Sequence, residues 1–253
     1  MGNCEGGDMV DIVCAGHRFS SITGIIFDKD GTLAHSEDYL KTITSKRARF
    51  IDAQIPGVQD PLLSAFGLEN GRLNPSGLQA VGTRQENLIA AAAYIAETGR
   101  SWLESLRIAQ AAFAEVDHFM KVKADHTPVF PGILALVQRL QGAGLKLGVL
   151  SADVTVNVKA FLEKYELADY FLVQKGTDQG PSKPDPTPFL QACELLGESP
   201  GNVLMIGDAD VDGQMARAAG AAGMIGVAWG WSIPPKLTEV DVVISEITEI
   251  QVG

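Results

Sequence analysis

Short apolar runs broken by glycine, proline or a carboxylate occur at the start of the chain and again after residue 130, with helix-like spacing between them. Residues 10–14 and 19–22 read as two strands joined at Ala15-Gly16, a hairpin whose role would be to cover a sheet edge. Ile25-Ile26-Phe27 follows as a buried strand that runs straight into Asp28, Lys29, Asp30, Gly31 and Thr32. After Leu33 the period becomes helical. Ser36 can cap a helix with Glu37 and Asp38 in its first turn, and Leu40, Ile43, Arg47, Phe50 and Ile51 fall at helical spacing. Asp60-Pro61 opens a short helix. Thr83 with Glu86 makes a capping box for a helix running to Gly99, and Ser101 with Glu104 repeats the device for one carrying Leu106, Phe113 and Val116 on one side. Residues 36–124 are therefore expected to form a helical bundle with no strand of its own.

From Phe130 onward strand and helix alternate. Strands are expected at 145–150, 170–173, 203–206, 224–227 and 240–244, with helices opening at Pro131, Val154, Asp185-Pro186 and Asp210. Alternation of this kind predicts an α/β fold with a parallel sheet, built from residues 1–35 and 125–253, and ligands at the carboxyl edge of its strands.

Charge narrows the function. The chain of 253 residues has 31 acidic against 20 basic side chains, a net charge of -11, which argues against nucleic acid or an anionic membrane as partner. A phosphorylated ligand would need a local cationic site to overcome that field. The three cysteines share no metal-like spacing and fit a reducing compartment. No apolar run reaches membrane-spanning length, residues 1–9 read as loose, and Gly6 stands where a lipidation signal needs Ser or Thr, so a cytoplasmic location is expected.

Asp28 and Asp30 are two residues apart, so an extended backbone would point both side chains the same way. At ~5 Å and an effective dielectric of about 20 their repulsion is roughly 3 kcal/mol, and the pair calls for a cation or a proton. Taken alone, Asp-x-Asp-Gly is read more simply as a strand ending in a polar turn. It is not alone: Ser151 ends a second strand, Asp208 and Asp212 follow another, and Lys183 lies in the loop between them. In a parallel sheet all of these meet above one edge, where Mg²⁺ with its preference for oxygen ligands would offset the cost of gathering four carboxylates.

These segments, Asp28 to Thr32, Ser151, Lys183 and Gly207 to Asp212, resemble in order and kind the motifs of the haloacid dehalogenase-like superfamily, over residues 22 to 235. Phe130-Pro131-Gly132, Lys183-Pro184 and Trp229-Gly230 are most similar to phosphoglycolate phosphatases. The resemblance implies a Rossmann-like core with an inserted helical cap, residues 36–124, that closes over the site. It implies that Asp28 attacks phosphorus and that Asp30 acts as general acid and base. Mg²⁺ would lie among Asp28, the Asp30 carbonyl and Asp208, with Asp212 orienting it, while Thr32, Ser151 and Lys183 hold the substrate phosphoryl group. Arg84, at a helix start in the cap, is a candidate for a substrate carboxylate or second phosphate.

The expected enzyme is a Mg²⁺-dependent phosphatase, monomer or homodimer, acting on a small phosphorylated metabolite, with 2-phosphoglycolate first. A phosphosugar mutase of the β-phosphoglucomutase kind and a non-catalytic metabolite-binding relative are the alternatives. Three departures from the usual pattern stand out. His35 is expected to be a solvated hinge residue, Lys29 to turn its side chain away from the site, and Asp210 to serve a helix N-terminus.

Overall fold

The structure, a computed structural model, describes residues 9–178 and 180–253; the glycine-rich start lies outside them. The chain begins with strands β1 (Val10–Cys14), β2 (His17–Ile22) and β3 (Gly24–Phe27). Helices α1 (Glu37–Asp52) and α2 (Gln59–Phe66) follow. Then come strands β4 (Leu68–Glu69) and β5 (Arg72–Leu73) and helices α3 (Leu78–Val81), α4 (Arg84–Glu97) and α5 (Trp102–Phe119). The second half alternates α6 (Ile133–Gly142), β6 (Lys146–Leu150), α7 (Thr155–Lys164), β7 (Phe171–Lys175) and α8 (Thr187–Leu196). It ends with β8 (Val203–Gly207), α9 (Asp210–Ala218), β9 (Gly223–Val227), β10 (Val242–Ile244) and β11 (Gln251–Val252).

Strand β3 lies inside a six-stranded parallel sheet of order β10-β9-β8-β3-β6-β7. All four of its residues are buried, as a strand covered on both faces requires. The period of two divides them: Ile25 and Phe27 join a core with Leu147, Val149 and Ile206, while Ile26 joins Phe189, Met205 and Met215 on the other face. Each of these side chains contributes about 1.5–3 kcal/mol by leaving water.

The helical segment has an apolar core of its own, in which Ala48, Ile51, Phe66, Leu88, Ala91, Ile95, Ala109 and Phe113 pack with no residue of the sheet. Contrary to expectation it does contain strands: β4 and β5 form a hairpin that turns through Asn70 and Gly71, both at positive φ. Asn-Gly is the residue pair such a turn demands, and Leu68 and Leu73 bury its apolar face.

The N-terminal hairpin also differs from its expected role. It pairs with β11 in a separate sheet of order β11-β1-β2, bonded to neither edge of the main one. Its alternating pattern makes one apolar face, Ile12, Cys14, Phe19 and Ile22, and a face of that kind is stabilised by packing onto the core rather than by extending a sheet. Among the described residues no helix is long and apolar enough to cross a membrane.

Candidate active site

Register brings the strand ends level. Phe27 pairs with Val149 on one side and Ile206 on the other, so Asp28, Leu150 and Gly207 open one layer, with Ser151 and Asp208 a residue further on. The Asp28 amide still donates to the Ile206 carbonyl at 2.8 Å, which fixes where its side chain leaves the sheet. Lys183 arrives from the loop before α8, its Nζ 2.5 Å from Asp28 Oδ1 and 2.6 Å from Asp212 Oδ1. Asp208 accepts from Thr32 Oγ1 at 3.0 Å and from Trp231 Nε1 at 2.5 Å. Gly31 makes that approach possible. It is at φ +86°, and a Cβ there would stand 2.3 Å from Asp208 Oδ2.

Asp28 and Asp30 do not share one partner, as an extended backbone would have had it. The chain leaves the strand after Phe27, and Asp30 turns into a second charged group. Its Oδ1 faces Lys29 Nζ at 2.8 Å and accepts from Ser36 Oγ at 2.5 Å, and its Oδ2 lies 2.8 Å from Lys123 Nζ. Both amines also reach Asp153 Oδ2, at 3.1 and 2.8 Å. Lys29 therefore does not turn away from the site. Its side chain is fully buried, which two carboxylates make tolerable. Ser36 stands at the start of α1 but makes no cap bond, because its hydroxyl is taken by Asp30 and the Ala34 carbonyl.

Ser151 lines the cavity above the sheet, with its Oγ accepting from the Asp153 amide at 3.1 Å. Thr32, expected against substrate, is fully buried and gives its hydroxyl to Asp208 instead. Arg84 lines the same cavity, paired with Asp117 at 2.7 Å. His35 is exposed and edge-on to Phe130 at 5.4 Å. Asp210 accepts from the amides of Thr238 and Glu239 at 2.7 and 3.0 Å, which ties the start of α9 to the loop between β9 and β10.

The two charged groups differ in balance. Around Asp30, two carboxylates face two ammonium groups. Burial would raise the Asp30 carboxyl, but Lys123 and Lys29 outweigh it and hold the group well below the usual range. Around Asp28, three carboxylates face Lys183 alone. Burial pushes Asp28 up to about 6, with Lys183 opposing and Asp212 adding to the rise. Burial, then Asp28 and Asp212, raise Asp208 well above its ordinary value.

With all three carboxylates ionised, two negative charges are uncompensated, the complement of one hard divalent cation. Among the described residues no three acidic, His or Cys side chains form a ready ligand cage. Lys183 occupies the gap between Asp28 and Asp212, and the Asp30 carboxylate is committed to lysines. This donor set fits Mg²⁺, which is bound through one or two carboxylates with waters and substrate completing its shell.

The cavity is about 330 Å³ and lies between the sheet edge and the helical layer, reached by Asp28, Asp30, Ser151, Lys183 and Asp208 from one side. Reading the sequence missed Lys123, Asp153, Trp231, and Arg47 with Asp117 as a paired site. Trp231 alone had a local signal, following the Trp229-Gly230 already singled out.

A family model for haloacid dehalogenase-like hydrolases matches residues 22–220, and the chain belongs to that family. It is similar over 245 residues to the phosphoglycolate phosphatase of Shigella boydii serotype 4 (strain Sb227), at 28% identity and covering 92% of this chain and 93% of that one. The phosphoglycolate phosphatase of Escherichia coli (strain K12) matches at the same identity over 244 residues. In fold it is like the crystal structure of a predicted phosphoglycolate phosphatase from Haemophilus somnus 129pt, with TM-score 0.66 over 90% of this chain and 96% of that one at 19% identity.

Proposed function

We propose that this hydrolase is a phosphoric monoester hydrolase that depends on Mg²⁺ and forms an aspartyl-phosphate on Asp28. The observation that carries the reading is the pairing of Lys183 with both Asp28 and Asp212 at the strand edge. Asp28 Oδ attacks phosphorus and the ester oxygen departs. Lys183 and Ser151 hold the phosphoryl oxygens as charge builds on them. Asp30 gives the departing alkoxide its proton, then takes one from the water that attacks phosphorus, which releases phosphate and restores Asp28. The two lysines hold Asp30 ionised here, so for the first transfer it has to shed a lysine partner and take up a proton, from solvent or from the substrate's phosphate monoanion. Lys123 sits on the segment joining the helical layer to the sheet, so movement of that segment frees it.

Bound Mg²⁺, held by Asp28, Asp208 and the Asp30 carbonyl with Asp212 behind, would supply the positive charge that lets two anions approach. The substrate is a small phosphorylated metabolite, and the relatives make 2-phosphoglycolate the first candidate. Phosphate release from p-nitrophenyl phosphate and 2-phosphoglycolate, measured with Mg²⁺ and with a chelator, tests this. Release only with Mg²⁺, needing no bisphosphate activator and lost in Asp28→Asn, is expected. Metal-independent release, or an active Asp28→Asn, would overturn it.

A further inference from the structure

The cavity has a second wall, supplied by the helical segment: Arg47, Gln79, Arg84, Asn87 and Asp117. Arg47 is 4% exposed and lies with its guanidinium 4.0 Å from the centre of the Phe113 ring. Arg47 and Arg84 grip one carboxylate from its two sides, at 2.9 Å to Asp117 Oδ1 and 2.7 Å to Oδ2. Two guanidinium groups against one carboxylate leave a positive charge in this wall, facing a site that works on anions.

Unpaired atoms add to this. Among the described residues, the buried side-chain polar atoms with no hydrogen-bond partner are Arg47 Nε, Gln79 Oε1, Asn87 Oδ1 and Asp212 Oδ1. The last faces Lys183, and the other three all belong to this wall. Leaving such an atom unsatisfied costs about 1–3 kcal/mol, so three in one place are a concentrated cost that a ligand could remove. The orientation of Asn87 is fixed, because its Nδ2 lies among the carbonyls of Leu78, Gly82 and Thr83 at 3.3, 3.4 and 2.9 Å. Its free atom is therefore an oxygen, which can only accept.

We propose that this wall is the leaving-group subsite. The substrate is then a phosphate monoester whose leaving group carries a second anionic group, carboxylate or phosphoryl, for Arg47 and Arg84, and a hydroxyl that donates to Asn87 Oδ1. The inference rests on the phosphatase reading but departs from its first candidate substrate, since phosphoglycolate has no free hydroxyl to give. Sites built to pair a substrate hydroxyl reject analogues that lack it, because their own polar groups stay buried and unpaired.

Steady-state kinetics of the full chain with Mg²⁺ decide the matter. The probes are 3-phosphoglycerate (carboxylate and hydroxyl), fructose 1,6-bisphosphate (second phosphoryl and hydroxyls), glucose 6-phosphate (hydroxyls only), 2-phosphoglycolate (carboxylate only) and p-nitrophenyl phosphate (neither). One of the first two should exceed glucose 6-phosphate and 2-phosphoglycolate by at least about tenfold in kcat/KM, and which one leads tells carboxylate from phosphoryl. Arg84→Gln and Asn87→Ala should each lower kcat/KM for that substrate at least about tenfold more than for p-nitrophenyl phosphate, mostly through KM, with partial rescue by Arg84→Lys. Arg84 is half-exposed, so its variants test the idea even if Asn87→Ala unfolds.

A lead for 2-phosphoglycolate or glucose 6-phosphate, or an equal loss on every substrate, would overturn the subsite while leaving the phosphatase standing. Failure of all five, p-nitrophenyl phosphate included, would remove the phosphatase reading and the subsite with it.

Discussion

Trp231→Phe isolates the support of Asp208. Its indole N–H donates to Asp208 Oδ2 at 2.5 Å, and phenylalanine keeps an aromatic ring in the apolar cluster that holds Tyr39, Leu40 and Val116 while deleting that donor. A hydrogen bond to a charged group contributes about 1.5–3 kcal/mol, and the loss falls on ionised Asp208, whose proton is already favoured by burial and by Asp28 and Asp212. At about 1.4 kcal/mol per factor of ten, the cation should bind roughly ten- to a hundredfold more weakly. Raising the pH should recover part of the loss, since it removes the competing proton. The assay is Mg²⁺ dependence of p-nitrophenyl phosphate hydrolysis, paired with calorimetric Mg²⁺ titration of the protein alone. The smaller ring also costs some packing, which melting reports separately. An unchanged Mg²⁺ half-saturation in a variant that melts lower would refute the reasoning.

Two further outcomes concern stability. Glu37 is buried at the start of α1, accepting from the Ser232 amide and hydroxyl at 2.7 and 2.6 Å and lying 2.6 Å from Lys41 Nζ. Burial would raise its carboxyl, but Lys41 and Ser232 outweigh it and hold the group below the ordinary 4.5. Its contribution is therefore complete above 4.5 and is lost as pH falls through the folded value. Glu37→Gln should cost about 1–3 kcal/mol at neutral pH, with the gap to the parent protein narrowing as the pH falls below 4.5 in denaturation curves; a gap that stays the same in acid as at neutral pH would contradict the assignment. Thr83→Ala removes the capping box of α4, in which Thr83 Oγ1 accepts from the Glu86 amide and Glu86 accepts from the Thr83 amide. It should cost about 1 kcal/mol, or some 2–4 °C in Tm, and a loss no larger than that of an exposed control substitution would count against the cap.

Much of the sheet could be read from short-range pattern. The Ile25-Ile26-Phe27 run, Gly207-Asp208 and Ser151 each end an apolar strand, and parallel pairing then sets them side by side without further information. What escaped was set by distance along the chain or by competition for one atom. Lys123 and Asp153 are ordinary loop residues until folding brings them to Asp30, and Arg47 meets Asp117 only when α1 packs on α5. The side chain of Lys29 is expected to face away from the site, but Asp30 and Asp153, which the fold brings to it, hold its amine inside. Ser36 has the right type and place for a cap, yet Asp30 competes successfully for its hydroxyl. The Asn70-Gly71 hairpin is different, for its signal was present and two-residue strands are simply too short to show alternation.

The account stands or falls on Asp28 as the group that carries phosphate. Rapid acid quench of the enzyme turning over p-nitrophenyl phosphate with Mg²⁺, followed by peptide mass mapping, should find one phosphoryl group on the peptide containing Asp28, labile to hydroxylamine and absent in Asp28→Asn. Phosphate release at full rate with no modified peptide, or modification at a residue other than Asp28, would contradict it.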